Sequence, residues 1–162
     1  MADITVTRRA LRVEHVRIDS TKTFAEVEAA LDYSIPRIEL SINAAVAGVE
    51  EQRAAVSQRR PKLFIFLKRD YGALLQVTGR PAKALQYEIG DPLTAMRVTR
   101  HQLPAALYAP LRVLLYENAA GGATFEYDRP STLFGQFGDE ELTAIGREVD
   151  AELEAALRRA AE

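Results

Sequence analysis

KALQYEIGDPLTAMRVTRHQLPAALYAPLRVLLYENAAGGATFEYDRPSTLFGQF, residues Lys83 to Phe137, is the stretch whose reading decides the fold of this chain. Leu85, Tyr87 and Ile89 alternate with Gln86 and Glu88, the pattern of a half-buried strand. Gly90-Asp91-Pro92 then starts a helix. Asp suits the N-cap, and Pro suits the first helical position because it has no amide hydrogen to leave unpaired. That helix runs from 92 to about 101. The spacing next predicts a long strand from Leu107 to Glu117, which Pro110 places near an edge or at a bulge. Asn118-Ala-Ala-Gly-Gly122 reads as a hairpin loop, with 123–128 returning as the antiparallel partner. Arg129-Pro130-Ser131 opens a short helix or turn.

Working outward, residues 10–18 read as an imperfectly two-faced strand. Thr23-x-x-Glu26 is a capping box, and Phe24, Val27 and Leu31 form the stripe of the helix it starts, which Pro36 ends. Residues 38–58 keep a helical spacing. Leu63-Phe-Ile-Phe-Leu67 is apolar on both faces, so it is expected to be a central strand covered on both sides. Residues 73–77 read as a short helix or strand, with the helix favoured. Asp139 caps the last helix, whose stripe is Leu142, Ile145, Val149, Leu153 and Leu157. The early alternation of strands and helices, followed by a hairpin, predicts an α+β two-layer sandwich with a mixed or antiparallel sheet.

The chain has 162 residues, 48% hydrophobic and 27% charged, a length and composition that suit one domain. It contains no cysteine, which removes disulfides, thiolate catalysis and zinc–thiolate or iron–sulfur sites. The formal net charge is −2, with both signs interspersed, so nucleic acid is not an expected partner. No apolar run approaches the roughly 20 residues of a membrane span, and no secretory leader is visible. The expected location is the cytoplasm.

Several blocks resemble the DUF302 family. They are Gln86-Tyr-Glu-Ile-Gly-Asp-Pro-Leu93, Thr99-Arg-His101, Leu107 through Glu117, Glu126-Tyr-Asp-Arg-Pro-Ser131 and Leu133-Phe-Gly-Gln-Phe137. The resemblance implies a single small domain over 1–162: a curved sheet with helices packed on it, a family-like core over 62–162 and a divergent region over 10–60. It carries no reaction and no catalytic residues. The family's turn resembles Gly-Asn-Pro. Asp91 here keeps the cap but replaces an amide donor with a charge.

The residues themselves offer three readings of function. If Leu107–Glu117 is one strand, then Tyr108, Pro110, Arg112, Leu114 and Tyr116 share a face. Tyr108, Arg112, Tyr116 and Tyr127 would then line a groove between sheet and helix. Arg112 would hold a carboxylate or phosphate through two hydrogen bonds. The plainer alternative pairs Arg112 with Glu126 or Glu88. This makes the chain a small-molecule or anion binding module. An acid–base enzyme using Glu117, Tyr127 or His101 is the second reading. It lacks a nucleophile, a cofactor motif and a cluster with metal-ligand spacing, so no metal or cofactor is expected. An interaction protein, a homodimer burying the apolar rim around Phe134, Phe137 and Pro130, is the third.

Overall fold

The computed structural model of the chain describes residues 3–38 and 63–162. The helix expected over 38–58 lies outside them apart from Ile38. Among the described residues five strands form one antiparallel sheet: β1 (His15–Ser20), β2 (Phe64–Asp70), β3 (Ala84–Gly90), β4 (Leu111–Glu117) and β5 (Ala123–Asp128), in the order β1-β5-β4-β3-β2. The helices are α1 (Phe24–Ser34), α2 (Tyr71–Gln76), α3 (Pro92–His101), α4 (Pro130–Phe134) and α5 (Glu140–Ala161). None of the described helices is long and apolar enough to cross a membrane.

Local chemistry sets the helix starts. Thr23 Oγ1 accepts from the Glu26 amide while Glu26 Oε2 accepts from the Thr23 amide, so the capping box is complete. Asp91 accepts from the amides of Leu93 and Thr94 at the start of α3. Asp139 does the same for Leu142 at the start of α5, with Glu140 and Glu141 in its first turn. Gly121, at φ +83°, closes the β4–β5 hairpin in a conformation that L side chains rarely adopt.

The two-residue period of the strands sorts the sheet into two faces. Leu85, Tyr87 and Ile89 of β3, Leu111, Val113 and Leu115 of β4, and Ala123, Phe125 and Tyr127 of β5 are buried. They meet the stripes of α1 (Phe24, Val27, Leu31) and α5 (Leu142, Ile145, Val149, Leu153, Leu157) in one core. The opposite, outer face carries two cross-strand pairs in register, Arg17 with Glu126 and Glu88 with Arg112. One charge does enter the layer between sheet and α1. Lys68 of β2 lies 2.6 Å from Glu28 and 2.7 Å from Asp32, with its ammonium 5.3 Å from the Tyr87 ring centroid. Burial works against that ammonium, but the hydrogen bonds to Asp32 and Glu28 outweigh it and raise its pKa.

Three expectations need correction. The first strand starts at His15 and not near residue 10. The Leu63–Leu67 run is not central, because among the described strands β2 stands last in the sheet, bridged beyond only at Arg37–Ile65 among the described residues. Its apolar content on both sides has another cause. A register irregularity between Ile65 and Leu67 leaves Ile65 in the core, while Phe66 lines a cavity at the end of the sheet. The long strand from Leu107 is instead two elements. Leu103–Tyr108 is a 3-10 helix and the strand begins only at Leu111, after the cis Ala109–Pro110 bond.

α4 and α5 pack closely against each other. A Cβ on Gly146 would lie 2.6 Å from Ser131 Cα. One turn further on, buried Asp150 accepts from the Ser131 amide (2.9 Å) and from Arg129 Nε (3.0 Å). Arg129 also reaches Glu14 at 2.7 Å, which ties in the segment before β1. Gly146→Val should therefore cost about 2 kcal/mol or more in urea unfolding, since backbone would have to move. Gly135→Ala, where a new Cβ meets only Thr143 at 3.6 Å, should stay within about 0.5 kcal/mol. Equal effects of the two substitutions would refute the close-packing account.

Candidate functional site

Where β3 ends and α3 begins, the chain leaves a cavity of about 590 Å³. Gly90-Asp91-Pro92 crosses its rim and the first two turns of α3 form one wall, including Ala95 and Met96. Phe66 and Leu63 come from the β2 side, Pro110 and Leu111 from the start of β4, and Phe134 and Val149 from α4 and α5. Val98, Phe134 and Val149 are core residues, so the inner surface is held by packed structure. The wall is almost wholly apolar.

Among the described lining residues two side chains are ionisable, Asp91 and Glu152, both acids. No Lys, Arg or His is among the described lining residues. Asp91 is committed to the helix: Oδ1 accepts from the Leu93 amide at 3.2 Å, and Oδ2 accepts from the Thr94 amide at 3.0 Å and the Thr94 hydroxyl at 2.7 Å.

The structure does not bring the four expected groove residues together. Arg112 is exposed on the outer face, because alternation along β4 sends Leu111 inward and Arg112 outward. Glu88 is opposite Arg112 in register, but pairs with Arg69 at 2.7 Å. Among the described residues Arg112 has no ion-pair partner. Tyr116 shares its face, with Oη donating to Glu126 Oε1 at 2.6 Å. Tyr127 points the other way, 3% exposed in the core, with its phenol pushed up to about 12 by burial. Tyr108 is not on a strand at all. It lies edge-on to Phe137, with ring centroids 6.3 Å apart, at the end of the 3-10 helix.

The proposed acid–base residues are also dispersed. Glu117 lies 2.6 Å from Lys83, and His101 lies 3.3 Å from Asp139 and 3.4 Å from Glu141 at the end of α3. The three share no site. Of the apolar rim expected at a dimer contact, Pro130 and Phe134 are buried, while Phe137 is half-buried and packs on Tyr108.

The sequence reading missed a linked group on the outer face. Glu126 accepts from Tyr116 and lies 3.0 Å from His15 Nε2, while His15 Nδ1 lies 3.0 Å from Asp128. Only the β1–β5 register, His15 opposite Asp128, joins these positions, and no local signal announces it. Hydrogen bonds to Asp128 and then Glu126 raise the His15 pKa. The Tyr116 and then the His15 hydrogen bonds lower that of Glu126. This is an ion-paired clasp between edge strand and sheet on an exposed surface.

Comparison with known proteins adds the family. Residues 37–160 match the model described as "Domain of unknown function DUF302", which is more than half of the chain. No curated protein matches. Among solved structures, the crystal structure of an uncharacterized conserved DUF302 protein from Bacillus stearothermophilus is similar, with a TM-score of 0.67 and 18% identity over 90% of this chain and 97% of that one. At that identity the likeness concerns the fold. The chain belongs to the DUF302 family.

The His15 clasp gives a signed pH test. A histidine whose pKa rises on folding contributes fully below its unfolded value of 6.5 and loses that contribution as pH climbs through the raised folded value. Urea unfolding from about pH 5.5 to about pH 8.5 should show wild-type stability falling relative to His15→Asn. Parallel pH curves for the two proteins would contradict the clasp.

Proposed function

We propose that this DUF302 domain is a small-molecule binding module and that its site is the apolar cavity at the β3–α3 junction. The observation that carries this is the cavity itself: about 590 Å³, within the roughly 300–1,000 Å³ typical of ligand sites. Its lining comes from five separate parts of the chain, and its floor is core. Each 100 Å² of ligand surface moved there from water contributes roughly 2.5 kcal/mol, so an apolar body supplies affinity without a charge clamp.

This reading moves the site away from Arg112. An anion held by that guanidinium would sit on an exposed sheet, where a single pair contributes about 0–1 kcal/mol. The cavity also supports binding better than acid–base chemistry. Asp91 in its wall already caps α3, and Glu117, His101 and Tyr127 lie outside it.

The test uses a neutral fluorescent lipophile, N-phenyl-1-naphthylamine. Titration should saturate near one equivalent. Ala95→Phe, which fills the cavity from the α3 wall, should weaken binding about tenfold or more, a loss of about 1.4 kcal/mol. It should leave the urea midpoint close to that of the wild type. Arg112→Ala should bind like the wild type. Absence of saturable binding, or loss through Arg112→Ala and not through Ala95→Phe, would overturn the proposal.

A further inference from the structure

We infer that the cavity prefers an amine-bearing lipophile, a cation on an apolar body, and that Asp91 sets this preference. The inference rests on the binding reading above and adds the charge class of the ligand.

The amino end of α3 faces the cavity, and such an end carries about half a unit of positive charge with unpaired amide hydrogens. Left open, it would attract a carboxylate or phosphate. Here the chain's own carboxylate already occupies it. Asp91 takes the Leu93 and Thr94 amides and the Thr94 hydroxyl. A full negative charge set against about half a positive unit leaves about half a negative unit at the rim. An arriving anion finds the helix donors taken and meets the like charge of Asp91.

An arriving ammonium finds the reverse. Asp91 Oδ1 accepts one hydrogen bond, at 3.2 Å, and so keeps acceptor capacity. The carboxylate is half-buried beside apolar walls, where the field of a charge is less screened than in water. An alkyl or aryl body would fill the space between Ala95, Phe66 and Val149 while its charged end stayed at the Gly90–Asp91 rim. The arrangement therefore separates ligands of equal apolar body by the sign of their head group.

The experiment displaces N-phenyl-1-naphthylamine with decylamine, 1-decanol and decanoate, at neutral pH and below micellar concentrations. Decylamine should displace the probe at a concentration at least about tenfold lower than decanol, with decanoate weakest, each tenfold step being about 1.4 kcal/mol. Asp91→Asn retains a helix cap and should shrink the gap between decylamine and decanoate about tenfold or more. Asp91→Ser, which also caps, takes its place if Asn destabilises the fold. Asp128→Asn removes an acid from the outer face and should leave the gap unchanged. Equal displacement by the three compounds, or tightest binding of decanoate, overturns the charge inference while the cavity reading stands. So does a gap that survives both Asp91 variants or shrinks equally in Asp128→Asn. Failure of the probe to bind at all overturns the cavity reading itself.

Discussion

The alternation of side chains along three antiparallel strands governs everything else in this molecule. β3, β4 and β5 pair in unbroken register, so a single choice of face at Val113, opposite Tyr87 and Tyr127, fixes the direction of every neighbour. That choice sends Leu111, Val113 and Leu115 into the core and Arg112, Leu114 and Tyr116 to the outer face. It decides that the guanidinium most suited to hold an anion cannot reach the space most suited to hold a ligand. The helices then complete the apolar side, and the cavity forms where the sheet ends and α3 has just begun.

The parts of the fold set by local chemistry were legible in the sequence. The Thr23–Glu26 box, the Asp91–Pro92 start, the Asn118–Gly122 hairpin and the Asp139 cap each depend on residues within four positions of one another, and all are found. The misreadings share a physical origin. Leu107 and Tyr108 run on into the alternation of the strand that begins at Leu111, and nothing in their side chains assigns them to the preceding 3-10 helix. The Leu63–Leu67 run is apolar on both sides because one part feeds the core and Phe66 feeds a cavity. Sequence alone cannot tell that from a strand covered by two layers. The site was illegible for the same reason. Phe66, Asp91, Phe134 and Val149 meet only through tertiary packing.

The blocks that carry the family likeness acquire structural roles here. In Glu126-Tyr-Asp-Arg-Pro-Ser131, Tyr127 packs into the core, Glu126 and Asp128 hold His15, and Arg129 with the Ser131 amide grips buried Asp150. Breaking that last contact would leave a buried carboxylate without its partners, a situation worth several kcal/mol. The Gly90-Asp91-Pro92 block is different. It starts α3 and also stands at the cavity mouth, so one short motif serves both folding and the proposed selectivity.

The most direct measurement of the central claim is a map of where a lipophile touches the folded chain. Two-dimensional amide NMR of the intact protein, titrated with a neutral apolar compound, provides it residue by residue. The account predicts shifts that saturate and cluster at Gly90 through Val98, Leu111, Phe134 and Val149. Shifts gathered instead at Arg17, Arg112, Tyr116 and Glu126, or spread evenly over the surface, would contradict it.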